Sequence, residues 1–150
     1  MNPSRACVAL GATVLLATGL TACVPSQPSR ADWRASARQA LDDTTSEVES
    51  VALVLDLESR DRLPGRSARV AAVESEESLA SAEQTFTSQQ PPPGTGRQDA
   101  EVQDVLGRAT DLLREARVAV TAGDEASYDA LRARLGELSD DLDRVGEDLR

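Results

Sequence analysis

YDALRARLGELSDDLDRVGEDL, residues 128–149, places Tyr128, Leu131, Leu135, Leu138, Leu142, Val145 and Leu149 at spacings of 3, 4, 3, 4, 3 and 4. That is a heptad seam with leucine at almost every core position, the pattern of an amphipathic helix that buries one stripe against other helices. Gly123-Asp124 lies just upstream. Glycine there is suited to end one helix and aspartate to cap the next, and so short a link implies antiparallel neighbours.

Working toward the N-terminus, Val102, Val105, Ala109, Leu112, Ala116 and Ala119 form a second stripe, widened by Leu106, Leu113 and Val120. Thr95 with Gln98 three residues on resembles a capping box for that helix. Before it, Gln89 to Gly96 holds Pro91, Pro92, Pro93 and Gly94 and reads as a linker. A further helix is expected from about Arg66 to Ser88, with the stripe Ala68, Ala72, Ser75, Leu79, Ala82 and Phe86. Its small side chains bury little area, so at ~25 cal/mol per Å² it should contribute least to the core and be the loosest of the set.

Leu63-Pro64-Gly65 breaks the pattern, because Pro64 removes a donor and disfavours helical geometry at Leu63, while Gly65 permits a turn. The first helix of the folded part is expected to start at Ser29-Arg30-Ala31-Asp32, a variant capping box, with Trp33 placed for a hydrophobic staple or the end of the bundle. Ala37, Leu41, Thr44, Val48, Val51 and Leu55 continue it at helical spacing. Val51 to Leu57 is apolar at six of seven places. Within so long a helical pattern, that run marks contact with neighbours on more than one side rather than a strand.

Four helices with short turns predict an all-α fold, an antiparallel up-down-up-down four-helix bundle over residues 29–150. In that topology Trp33, Phe86, Val102 and Leu149 gather at one end, and Leu57, Val120 and Tyr128 at the other. The competing architectures are a three-helix coiled coil of helices 1, 3 and 4 with helix 2 loosely attached, and a longer hairpin completed by a second copy.

The chain carries 26 acidic residues against 16 basic ones, a formal charge of -10, and every acidic residue lies after Cys23. Such a balance repels phosphate backbones and anionic head groups, so nucleic acid is not an expected partner. Every basic residue is arginine, there is no Lys, His or Ile, and the only Asn is Asn2. Codons for Lys, Ile and Asn are AT-rich, so a GC-rich bacterial genome is expected. Without His the chain lacks the side chain that titrates near neutrality and the commonest transition-metal ligand.

The N-terminal part carries an address. Arg5 and the terminal amine precede an apolar run, Ala6 to Leu20, shorter than the roughly 20 residues of a membrane-spanning helix and suited to a signal-peptide core. The run closes on Leu20-Thr21-Ala22-Cys23, a branched aliphatic, two small residues and a cysteine. These residues resemble the lipobox of bacterial lipoproteins. The resemblance covers only this part of the chain and identifies no family for the helical domain. It implies cleavage after Ala22, with Leu20, Thr21 and Ala22 as the peptidase recognition residues and Cys23 as the lipidated residue. It also implies two or three acyl chains on that thiol, far beyond the marginal hold of one chain at ~0.8 kcal/mol per buried CH₂.

The expected organisation is a signal-peptide helix at 1–22, a lipidated cysteine and short tether at 23–28, and the bundle at 29–150. The expected location is extracytoplasmic and anchored to the cell membrane through the N-terminal lipid. Val24-Pro25-Ser26-Gln27-Pro28 spans at most about 18 Å, so the bundle must stand close to the bilayer. Cys7 would be discarded with the signal, leaving no thiol pair for a disulfide.

Catalysis is not expected. Ser or Cys nucleophiles lack a His or Lys base, and Pro93-Gly94-Thr95-Gly96 has no preceding strand or following Lys to make a phosphate loop. Glu74, Glu76 and Glu77, and the group Asp140, Asp141, Asp143, Glu147 and Asp148, splay around straight helices and read as solvated faces rather than metal sites. The stripes place no acidic residue in the core, and no cofactor is implied. Pairs at i,i+4, Asp56/Arg60, Glu58/Arg62, Asp104/Arg108 and Asp140/Arg144, should decorate the surface at a few tenths of a kcal/mol each. The expected role is a helical interaction or scaffold module with a protein partner or self-association. The alternative is an envelope binding protein holding a small apolar ligand or peptide between its helices.

Overall fold

Ser29 is an N-cap in extended conformation, and the helix it starts is the longest among the described residues. Its hydroxyl accepts from the Asp32 N–H at 3.1 Å while the Asp32 carboxylate accepts from the Ser29 N–H at 3.3 Å, the reciprocal capping box read from the sequence. A computed structural model describes residues 28–150. The expected signal peptide, with Leu20, Thr21, Ala22 and Cys23 that resemble a lipobox, lies outside the described residues.

Four helices follow in order, α1 (Arg30–Ser59), α2 (Gly65–Thr87), α3 (Gly96–Ala122) and α4 (Tyr128–Asp148), and the described residues contain no strand. Helix α1 borders α2 and α4, α3 borders the same two, and α1 and α3 also meet across the diagonal. With short connections between successive helices, this is the antiparallel four-helix bundle. The ends are fixed by side chains. Trp33 and Phe86 pack at a tilt of 50° with ring centroids 6.2 Å apart at one end. At the other, the Tyr128 hydroxyl donates to Glu58 at 2.8 Å, joining the start of α4 to the end of α1.

Every stripe residue of α1, α3 and α4 read from the sequence is buried, including Thr44, whose hydroxyl is satisfied by the Ala40 carbonyl at 2.7 Å. Two other expectations are modified. Ala82 is only half-buried, as is Leu57. More important, α2 is not a loose appendage. It has the fewest buried positions of the four helices, Ala68, Ala72, Ser75, Leu79 and Phe86, yet it is flanked closely by both α1 and α3. Small side chains give up area, but they let helix axes approach, and Leu79 and Phe86 fill the remaining depth.

The turns differ in detail from their sequence reading. Helix α1 ends before Leu63, because Asp61 adopts a left-handed φ of 53° and the Asp61 and Arg62 N–H groups bond back to Glu58 and Leu57. Aspartate tolerates that conformation better than most residues. Gly65, expected in the turn, is instead the first residue of α2, with Pro64 before it as N-cap. Thr95 does not form the capping box with Gln98. Its hydroxyl donates to the Pro92 carbonyl at 2.8 Å, so it closes the proline loop rather than the helix.

Gly123 does end α3, at φ 67°, where the N–H groups of Gly123 and Asp124 satisfy the last carbonyls. Asp124 makes no side-chain cap, because a short 3₁₀ turn, Glu125–Ser127, stands between it and α4.

The Tyr128–Glu58 bond carries a pH prediction. Burial of the phenol, and the Glu58 carboxylate that accepts its hydrogen bond, hold Tyr128 well above its ordinary value of about 10. A group whose value is raised on folding contributes stability that is complete below the unfolded value and is lost as pH rises through the folded one. Tyr128 is the only tyrosine, so phenolate absorbance reports it alone. The native protein should show that absorbance at distinctly higher pH than the urea-unfolded chain, and Glu58→Gln should narrow the gap. Coincident titrations of native and unfolded protein would contradict the bond.

Candidate functional site

Trp33 is fully buried in the first turns of α1, where a partner is needed for its indole N–H. That partner is Asp99 in the first turn of α3, whose Oδ1 accepts at 3.1 Å, while its Oδ2 accepts from Gln103 at 2.6 Å. Asp99 is itself buried, which corrects the expectation that the core holds no acidic residue. The signal was present. Asp99 lies three residues before Val102 on the α3 stripe, and a buried tryptophan calls for an acceptor.

Around this pair the α2–α3 loop is strapped to α1. Arg30 donates to the Pro93 carbonyl at 2.9 Å, and Gln89 donates to the Ser36 hydroxyl at 2.7 Å. Gly94 at φ 87° lets the loop pass Arg30, since a Cβ there would stand 3.0 Å from its guanidinium. This end of the bundle is where the chain enters from its N-terminal segment. Trp33 is sealed inside it and presents no surface that could dip into a bilayer.

Three of the four seams between neighbouring helices are clamped by ion pairs. Between α2 and α3, Glu76 meets Arg117 and, at 3.6 Å, Arg114. Between α3 and α4, Arg108 meets Asp141 at 2.6 Å, Arg134 meets Glu115 at 2.7 Å and Arg144 meets Glu101 at 3.7 Å. Between α1 and α4, Arg132 reaches Asp56 at 3.3 Å. Arg144 and Arg108 together hold the Asp141 carboxyl below its ordinary range, and Arg134 does the same for Glu115. The pairs between α3 and α4 are largely exposed and worth little individually, while Glu76–Arg117 and Asp56–Arg132 are half-buried.

Of the four i,i+4 pairs expected within helices, Asp56/Arg60 and Asp104/Arg108 form. The other two do not, because the partners find better geometry elsewhere. Glu58 takes the Tyr128 hydroxyl, and Arg144 takes Asp141. The acidic groups of α2 and α4 are thus partly drawn into interhelical pairing, and among the described residues no group of three or more His, Cys, Asp or Glu is arranged to hold a metal ion.

The α1–α2 seam is different. Among the described residues no ion pair crosses it, and an open groove of about 690 Å³ runs along it. Ser36, Gln39, Asp43 and Glu47 line one side, and Glu77, Ser78, Ser81 and Thr85 line the other, with Ala40, Ala82 and Phe86 among the floor and walls. Smaller grooves lie at the other seams, and each of them includes at least one arginine. None of the described helices is long and apolar enough to cross a membrane. No protein-family model matches the chain, and neither does any curated protein or solved structure.

Proposed function

We propose that this chain is a lipid-anchored envelope protein of a bacterium, held at the outer face of the membrane through Cys23, whose four-helix bundle serves as an interaction or scaffold module without catalysis. The observation that carries the reading is the apolar run closing on Leu20-Thr21-Ala22-Cys23, followed after a tether of a few residues by the capped start of α1 at Ser29. A lipid on Cys23 would place the Trp33 end of the bundle toward the bilayer and leave the sides of the helices free for partners. Support for interaction over the carriage of a small apolar ligand comes from the core, where leucine, valine and alanine fill the space between helices, and from grooves that open to solvent and carry charged residues in their walls. A carrier of apolar molecules needs an enclosed, mostly apolar pocket.

Cys23→Ser is the direct test. Cells fed a labelled fatty acid should incorporate label into the wild-type chain and none into the variant. A wild-type chain without label, or a label that survives Cys23→Ser, would refute the anchor. Cross-linking in intact cells, followed by mass spectrometry, tests the interaction half. Discrete cross-links to another protein or to a second copy support it, and a chain recovered only as an uncross-linked monomer counts against it.

A further inference from the structure

We infer that the α1–α2 groove is a docking surface for an arginine- or lysine-bearing peptide segment of another envelope protein. This inference rests on the interaction-module reading and names the surface and the chemistry of the partner.

Charge is the first reason. Asp43, Glu47 and Glu77 line the groove and no cation does, whereas the other grooves contain arginine. Each other seam is crossed by at least one ion pair between helices, so this seam alone faces carboxylates across an unclamped gap. A cationic group entering it would gain charge-assisted hydrogen bonds without breaking an ion pair, although Asp43 already accepts from Gln39 at 2.7 Å.

Dimensions are the second reason. The α1 wall runs from Ser36 to Glu47 and the α2 wall from Glu77 to Phe86. At 1.5 Å of rise per residue, each wall is about 14–17 Å long, or three helical turns. That length is far more than one ion needs and suits a peptide segment. The small side chains at Ser36, Ala40, Ser78 and Ala82 leave room for a backbone to approach, and the serine hydroxyls can pair with its polar groups. A second copy of this chain is a poor occupant, because its formal charge of -10 opposes approach to an acidic groove.

The test uses the full lipidated chain in a non-ionic detergent. The probe is a synthetic helical peptide of about three turns with arginines along one face, and a matched peptide with glutamines in their place. The arginine peptide should bind and the glutamine peptide should not. Glu47→Gln with Glu77→Gln should weaken binding by about 5- to 30-fold. Asp140→Asn with Glu147→Gln removes the same charge from the outer face of α4 and should change binding by less than about 2-fold, because screening at physiological salt confines the effect to nearby charges.

Equal losses in the two double variants would overturn the groove as the site, and so would equal binding of the two peptides. Hydrogen-exchange footprinting on the unsubstituted chain gives a reading independent of any variant's folding. Protection within 36–47 and 77–86 supports the site, and protection confined to other helices overturns it. The interaction-module reading fails separately, through the absence of any cross-linked partner in cells, so the two failures are distinguishable.

Discussion

Trp33→Ala is expected to lower the unfolding free energy by about 3–5 kcal/mol, the range for emptying a tryptophan site in a packed core. Two losses add at this position. The indole is fully buried against Phe86, so its removal leaves a cavity at the end of the bundle where α1, α2 and α3 converge. It also strips a donor from Asp99, leaving a buried carboxylate with Gln103 as its remaining side-chain partner. A domain of this size is stable by about 5–15 kcal/mol in all, so the loss is a large share of the total.

The two contributions can be separated. Trp33→Phe keeps most of the apolar volume and removes the N–H, and should cost about 1–3 kcal/mol for the unpaired acceptor. Adding Asp99→Leu should recover part of that, because removing both members of a buried polar pair can be nearly neutral. Urea unfolding followed by circular dichroism measures all three, which matters because Trp33 is the only tryptophan and its fluorescence is lost with it. A Trp33→Ala chain as stable as the wild type would mean that this end is not packed as described. A double variant no better than Trp33→Phe would mean that the Asp99 contact is not what holds the indole.

The parts of this fold legible in the sequence were those set by one helix at a time. The leucine seam of α4 and the valine-leucine stripe of α3 bury every residue that their spacing selects, because periodicity alone decides which face turns inward. The Ser29–Asp32 cap was legible for the same reason, since both partners lie within one turn. What the sequence hid depends on which helix lies beside which. Glu58 is four residues from Arg62, but Tyr128, distant in sequence, takes it. Asp99 reads as a first-turn acid until Trp33 is placed over it. The Thr95 hydroxyl turned into the proline loop because the residue sits with ψ near 0° rather than in the extended conformation of a cap. The unpaired α1–α2 seam was also invisible, because a groove between helices has no signature along either one. The proposed lipobox is the reverse case, since its reading rests on four adjacent residues outside the described structure and is independent of the bundle.

Ala72→Leu is expected to destabilise the bundle by about 1–3 kcal/mol, although it adds apolar surface to a helix that has little. The reason is the manner in which α2 is docked. Ala72 is fully buried in the N-terminal half of α2, a helix flanked closely by α1 and α3, and the side chains above and below it on the stripe are Ala68 and Ser75. Those small residues set the distance at which the helices pack. A leucine at Ala72 must push α2 outward or take a strained rotamer, and either response disturbs the contacts of Leu79 and Phe86 on the same face.

If α2 were only loosely attached, the same substitution would supply the apolar area that its stripe lacks, and stability would rise. The sign of the change therefore separates the two packings. Leu79→Ala gives the complementary measurement, since a leucine anchored in the core should cost about 2–5 kcal/mol on truncation and one on a loose helix much less. Ala72→Leu that stabilises the chain, together with a negligible loss for Leu79→Ala, would place α2 outside the cooperative core. Destabilisation by both substitutions, one by crowding and the other by emptying, is the response of a helix whose small residues are there to bring it close.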